Sequence, residues 1–314
     1  MILFRLFGIE GDIMKSKDIN YKIQKKFFEE EYMLTSYHYK SDKELNILTV
    51  GDLHYHENVD KQIFKMLVCH VIETKPDFIV IPGDLIETKK FLNNAKEREF
   101  FESLIKEMGE IAPVIIIPGN HEIANFNTKF NRDDESNILK YMDSLNKFKN
   151  IYFLNNEKVN FGNIVFFGFN PRLEYYLKYG SRKGKEIIRD DYLKSGLRMA
   201  EADYNILLSH LPPEDFIDLD KTDLVIAGHW HDGYLPKKLD RFLGNTNAGL
   251  FFTPLRKPFP GIVCRGVHDF GRGYLFITQG FRKWTADIKL FNAFEKITAN
   301  DVEKLIIKNP KIRH

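Results

Sequence analysis

Five short apolar runs punctuate the chain, and each gives way to residues of a different kind. Leu45-Asn46-Ile47-Leu48 leads through Thr49-Val50 into Gly51-Asp52-Leu53-His54, and Phe78-Ile79-Val80-Ile81-Pro82 leads into Gly83-Asp84. Val114-Ile115-Ile116-Ile117-Pro118 opens onto Gly119-Asn120-His121-Glu122. Asn205-Ile206-Leu207-Leu208 ends in Ser209-His210, and Leu224-Val225-Ile226-Ala227 ends in Gly228-His229-Trp230-His231. Short runs rich in branched apolar residues and bounded by turn residues suit buried strands. Between the first of them the spacing becomes helical. Over 59–75, Ile63, Phe64, Leu67 and Val71 recur at helical intervals until Pro76, and 96–108 repeats the pattern before Pro113. Residues 133–148 read as a further helix, with Asp133 or Asp134 in its first turn. Strand, helix, strand from Asp52 to Asp84 makes a βαβ crossover. The polar tips then fall at the strands' C-terminal edge, where open α/β sheets bind ligands.

From Ile151 the rhythm changes. Residues 151–154, 158–161 and 164–169 read as short strands separated by turns, with no room for helices between them. This predicts a second sheet packed on the first, completed by 273–278, 288–291 and 304–307. Residues 1–44 read as an N-terminal extension packing on or preceding the core. It comprises an apolar tip, a charged stretch over 15–31 expected as a surface helix or arm, and a strand over 32–37 pairing beside the first motif strand. Residues 45–314 then form a single domain with insertions near 175–196 and 235–273.

Composition narrows the function classes only slightly. Among 314 residues, 46 basic against 44 acidic side chains leave a net charge of +2, which carries no strong nucleic-acid signature. Cys69 and Cys264 lie far apart, outside any Cys-x-x-Cys pattern, and read as reduced, buried thiols. The apolar tip is too short for a membrane span and lacks the zones of a signal peptide, so it is expected to pack on the core of a cytoplasmic protein, with a peripheral membrane contact as the rival reading. Oligomeric state is left open.

The strand tips carry the chemistry. Asp52, His54, Asp84, Asn120, His210, His229 and His231 offer two carboxylates, four imidazoles and one amide oxygen, a set suited to two divalent ions of the Mn, Fe or Zn kind. Asp84, alone on the tip of a middle strand, is the natural bridge. Two such ions about 3.5–4 Å apart clamp phosphate oxygens and turn a water into the attacking hydroxide. Arg172, following a strand, is a candidate phosphate clamp, whereas Ser181-Arg182-Lys183-Gly184-Lys185 reads as a solvated basic loop. Two readings fit the aromatic residues Tyr175, Tyr176, Phe251, Phe252 and Phe259: the wall of a substrate pocket, or packing beneath long loops.

These blocks, in this order, resemble the calcineurin-like metallophosphoesterase superfamily, in particular its small bacterial phosphodiesterases and phosphohydrolases. The resemblance spans roughly Ile47 to His231. It implies a four-layer α/β/β/α sandwich with two mixed β-sheets flanked by helices. It also implies a division of ligands, with Asp52, His54, Asp84 and His231 on one metal and Asp84, Asn120, His210 and His229 on the other. His121 would face the substrate, stabilise charge on phosphate and protonate the leaving oxygen, with Glu122 helping to orient it. Glu87 stands where the family often has Asp or Asn, and Thr88-Lys89-Lys90 follow where protein Ser/Thr phosphatases carry an arginine, which argues against that branch. The resulting expectation is a phosphate-ester substrate, cleaved at a phosphodiester or pyrophosphate bond. The rival expectations are a metal-dependent DNA or RNA nuclease and a scaffold of the same fold without catalysis.

Overall fold

The computed structural model describes residues 27–57, 59–87, 89–123, 132–200, 204–213, 218–231, 266–281 and 300–310. The elements, in chain order, are β1 (Phe27–Thr35), β2 (Leu45–Thr49), α1 (Lys61–Thr74), β3 (Phe78–Pro82), α2 (Ala95–Gly109), β4 (Val114–Ile117), α3 (Asn120–Ile123), α4 (Arg132–Ser144) and β5 (Ile151–Phe153). They continue with β6 (Glu157–Phe161), β7 (Ile164–Phe169), α5 (Leu173–Lys178), α6 (Arg182–Ser195), β8 (Tyr204–Ser209), β9 (Leu224–Ala227), β10 (Gly266–Asp269), β11 (Tyr274–Ile277) and β12 (Asn300–Lys308). Two six-stranded sheets result, ordered β1-β12-β2-β3-β4-β5 and β10-β11-β9-β8-β7-β6. Both are mixed. In the first, β2 to β5 run parallel and β12 lies antiparallel to β2. In the second, β7, β8, β9 and β11 run parallel between antiparallel edge strands β6 and β10.

Three apolar clusters define four layers. One lies under α1, α2 and α4 and includes Leu48, Ile79, Phe101, Ile116 and Met142. A second fills the space between the sheets with Ile47, Val80, Ile115, Phe166, Ile206, Ile226, Phe276 and Leu305. The third seats α5 and α6 on the outer face of the second sheet through Phe167, Tyr175, Ile188 and Leu207. Because the central strands are covered on both faces, they read as continuous apolar runs rather than alternating ones. A fully buried Phe or Ile among them contributes about 1.5–3 kcal/mol by leaving water. Helix ends follow local chemistry. Asp60 caps α1 by accepting from Gln62 N, and Lys75 closes it in a left-handed turn (φ 44°) just before Pro76.

Several expectations are corrected here. β1 pairs parallel with β12, which inserts between it and β2, so the 32–37 strand does not sit beside the first motif strand and 304–307 belongs to the first sheet, not the second. Residues 27–31 are strand rather than helix or arm. Their glutamates find cross-strand and helix partners: Glu31 pairs with Lys304 (3.0 Å) and Glu29 with His70 (2.5 Å). β5 also joins the first sheet, parallel to β4; Ile-Tyr-Phe is apolar enough to suit either sheet. Residues 175–196 take in most of α5 and all of α6, the helical connection that the parallel pair β7 and β8 requires. Within it, 182–185 is the first turn of α6, capped by Ser181, and not a loop. The expected strand at 288–291, the apolar tip, most of 235–273, Phe251, Phe252, Phe259 and Cys264 lie outside the described residues. Cys69 is a free, half-buried thiol. Among the described residues no helix is long and apolar enough to cross a membrane.

Candidate metal centre

The strand tips converge because the backbone after each strand turns sharply. Five residues that deliver side chains to the centre occupy the left-handed region: Asp52 (φ 53°), His54 (44°), Asp84 (50°), His229 (76°) and His231 (47°). Such a conformation costs a non-glycine residue about 1–3 kcal/mol and persists only where its surroundings enforce it. Here the tips hydrogen-bond one another. His54 N donates to Asp84 O (2.9 Å), Gly228 N to His210 O (2.9 Å), and His229 N to Asp52 Oδ1 (3.1 Å). Two glycines permit the close approach. A Cβ on Gly119 would lie 2.4 Å from Asp84 N, and one on Gly83 (φ 93°) 2.5 Å from His210 Nδ1.

Three groups of side chains present ligand atoms within 4.8 Å of one another: Asp52, His54, Asp84 and His231; Asp84, His210 and His229; and His54, Glu87 and His121. Asp84 is common to the first two. Asn120 joins the second, its Oδ1 lying 3.1 Å from His210 Nε2 and 2.8 Å from His229 Nδ1. All seven ligand-type residues singled out in the sequence therefore meet at one place, and every one except the half-buried His229 is buried.

The donor chemistry fits a cation. His210 Nδ1 lies 2.7 Å from the carbonyl oxygen of Pro82, which can only accept, so the proton sits on Nδ1. In the neutral ring the Nε2 lone pair would face Asp84 Oδ2 at 3.1 Å and Asn120 Oδ1 at 3.1 Å, acceptor against acceptor, which a bound cation or a second proton relieves. His54 repeats the pattern. Its Nδ1 stands 2.6 Å from Glu87 Oε2, and its Nε2 points at His231 Nε2 (3.1 Å). Carboxylates or carbonyls holding the far nitrogen of an imidazole are the usual support for a metal-ligating histidine. Converging lone pairs repel unless a cation or a proton lies among them.

Charges respond accordingly. Burial pushes the Asp52 carboxyl up against the pull of His231 and His210. Burial acts the same way on Asp84, but His210, His121 and His54 overcome it and hold that carboxyl well below its usual range. His210 is drawn down by burial, yet Asp84 and Asp52 push it up to about 9. On His229 burial and the neighbouring His210 outweigh the upward pull of Asp84 and bring it down to about 3.

Around this centre the remaining candidates take distinct places. His121 Nε2 stands 3.9 Å from Asp84 Oδ2, on a partly open side, and its backbone N donates to Asp84 Oδ1 (2.9 Å). The carboxylate beside its ring is Glu87, whose Oε2 lies 3.5 Å from His121 Nδ1, and not Glu122. Glu122 turns the other way. Its two oxygens accept from the backbone N–H groups of Gly119 (2.7 Å), Ile86 (2.8 Å) and Asp84 (3.0 Å), tying the β3 and β4 tips together. Burial and Asp84 push its carboxyl up to about 7, against the donors of Ile86 and Gly119. Arg172 does not reach the centre. Its guanidinium pairs with Asp190 and Asp191 on α6, and its backbone N donates to Asp191 (2.9 Å). Tyr176 does reach it, its ring centroid lying 5.7 Å from that of His229 and 6.2 Å from that of His210.

Known proteins are similar to this chain. The profile of the calcineurin-like phosphoesterase family matches residues 45–233. An uncharacterized metallophosphoesterase of Campylobacter jejuni is 24% identical over 260 residues, covering 82% of this chain and 59% of its own length. One from Helicobacter pylori is 26% identical over 198 residues, 62% of this chain and 47% of its own. One from Aquifex aeolicus is 23% identical over 253 residues, 80% of this chain and 82% of its own. The chain thus spans about half the length of the first two of these relatives. Among solved structures, GAP50, the anchor in the inner membrane complex of Plasmodium, aligns with a TM-score of 0.41 and 13% identity, over 78% of this chain and 75% of that one.

Proposed function

Since the chain belongs to the calcineurin-like phosphoesterase family, we propose that it is a dinuclear metal-dependent phosphohydrolase acting on a phosphodiester or pyrophosphate bond. The observation that carries this reading is the pair of donor groups sharing one buried carboxylate, Asp84. Asp52, His54, Asp84 and His231 would hold one divalent ion, and Asp84, Asn120, His210 and His229 the other, with Mn, Fe and Zn all suited to the donors. When bound, such ions supply Lewis acidity at phosphoryl oxygens and make water a nucleophile near neutral pH. The chain's own residues do the rest. Glu87 holds the outer nitrogen of His54, and Pro82 O that of His210, so both rings present Nε2 inward. Glu122 fixes the spacing of the β3 and β4 tips, and with it the position of Asp84. His121, which burial pulls down but Asp84, Glu87 and Glu122 push above its ordinary value, would hand a proton to the leaving oxygen.

Hydrolysis of bis-p-nitrophenyl phosphate and of the monoester, after loading with Mn, Fe or Zn, tests the proposal. We expect metal-dependent turnover of the diester, and a drop of about two to four powers of ten in His121→Ala with metal content retained, the size of a lost general acid. Silence toward phosphate esters in a protein that binds no metal would overturn the ligand assignment. Full turnover in the His121 variant would overturn the role given to that residue.

A further inference from the structure

The hydroxyl oxygen of Tyr176 is buried and has no hydrogen-bond partner among the described residues. A buried phenol O–H left unsatisfied costs about 1–3 kcal/mol, and such groups in a native fold usually await a ligand or a water. The residue as a whole is only half-buried, so the site it borders is approachable. Its ring stands against those of His229 and His210, on the side of the centre where Asn120 completes the second donor group.

Position is enforced from three sides. Tyr175, fully buried, donates from its hydroxyl to Pro212 O (3.2 Å), just beyond His210 at the β8 tip. Its ring meets Tyr176 at 6.3 Å and Tyr179 at 5.7 Å, and Tyr179 in turn meets Trp230, the residue between His229 and His231, at 5.7 Å. At the start of α5, Arg172 is tied to Asp190 and Asp191 of α6. The short helix is therefore pinned over the tips of β8 and β9, with Tyr176 as the side chain turned to the imidazoles. With a phenol's ordinary value near 10, the group is an O–H donor at neutral pH.

The charged groups that act on it are all carboxylates, Asp84, Glu122 and Asp52, and the amide oxygen of Asn120 lies between the two imidazoles its ring meets. A donor in such surroundings lacks a partner whose oxygens are acceptors only and which itself belongs among cations. A phosphoryl group is that partner. We propose that Tyr176 is a substrate-contacting residue whose hydroxyl donates a hydrogen bond to a non-bridging phosphoryl oxygen on the Asn120–His210–His229 side of the centre. This rests on the phosphohydrolase reading above and adds to it a hydroxyl donor from the helix that follows β7.

The test compares wild type with Tyr176→Phe in the Mn-loaded full chain. Inorganic phosphate is titrated by calorimetry, bis-p-nitrophenyl phosphate kinetics are run alongside, and metal content and unfolding midpoint are measured for both. Loss of a hydrogen bond to a charged group predicts phosphate binding weaker by about ten- to a hundredfold, with kcat/KM reduced to match. Metal content and midpoint should stay at wild-type values, which separates substrate contact from a structural role. Equal phosphate affinity in the two proteins would overturn the proposal while leaving the phosphohydrolase reading intact. Metal lost from the variant, with wild-type phosphate affinity once metal is saturating, would assign the hydroxyl to the ion instead and also overturn it. Wild-type protein that neither binds phosphate nor cleaves an ester would bring down the underlying reading first.

Discussion

A methyl group on Gly119 should disable the centre while barely disturbing the fold. The Cβ of Gly119→Ala would stand 2.2 Å from Asp84 Oδ1 and 2.4 Å from Asp84 N. Ordinary contact begins at 3.4 Å, so the β3 and β4 tips must part by roughly 1 Å (3.4 − 2.4), and no rotamer change can relieve a clash with a backbone nitrogen. Asp84 cannot yield alone, because its N–H is held by Glu122 and its Oδ1 by the backbone N of His121. Overpacking of this kind costs about 1–3 kcal/mol, of which the stiffer unfolded chain returns about 0.4–1, leaving a net loss near 0.5–2.5 kcal/mol. The carboxylate shared by both donor groups moves by a comparable distance, enough for a loss on the order of a hundredfold in a preorganised site. At a metal concentration a hundred times the wild-type Kd, bound metal stabilises the wild type by about 2.7 kcal/mol. A hundredfold weaker site leaves about 0.4 kcal/mol. Thermal unfolding with and without Mn2+ measures both quantities. Gly162→Ala serves as control: Gly162 has φ 63° with nothing within 4 Å of an added Cβ, so it should lose about 1 kcal/mol in either condition and keep its full metal response. A Gly119 variant with wild-type metal-induced stabilisation would refute the reasoning.

Other expectations follow from the same geometry. Asp84→Asn removes the carboxylate common to both groups, so metal content by elemental analysis should fall to one ion per chain or fewer and ester turnover should vanish. Glu29, whose hydrogen bond from His70 holds its carboxyl below the ordinary glutamate value, contributes stability that is present above that value and lost as pH falls through the lower folded one. The gap in urea midpoint between wild type and Glu29→Gln should accordingly be open at pH 7 and close below about pH 4. Phe166→Ala, at the middle of the layer between the sheets, should cost about 3–5 kcal/mol without altering metal stoichiometry, measured by urea unfolding at constant m-value.

What could be seen in the sequence was local. Apolar runs ending in Asp or His name their own strands and tips, and parallel topology brings tips together whatever the order of strands, so Asp52, His54, Asp84, Asn120, His210, His229 and His231 could be picked out and do meet. Pairings that depend on distant partners were not visible. Nothing in Leu305-Ile306-Ile307 says that it will lie antiparallel to Leu45 through Thr49, and Ile151-Tyr152-Phe153 is apolar enough for either sheet. The same holds for charges. Arg172 looked like a phosphate ligand because its carboxylate partners lie 18 and 19 residues away on a helix whose facing surface could not be known beforehand. The work of Glu87 between His54 and His121, and of Tyr176 beside His210 and His229, appears only once five strand tips and a crossover helix share one volume.

The insertion of β12 between β1 and β2 also bears on how the molecule comes into being. Glu303 faces Thr49 across 254 positions of chain, and β1 has its described backbone partner only in β12. At ribosomal rates of about 5–20 residues per second, roughly 13–50 seconds pass between the emergence of β2 and that of its neighbour. Throughout that interval the strand that leads to Asp52 and His54 shows an open hydrogen-bonding edge to the cell. Closing it is a long-range event that contact order makes slow. Among the described strands β12 is thus a clasp fastened late. A nascent chain stalled before it would expose a β edge inviting to chaperones and to other unfinished copies of itself.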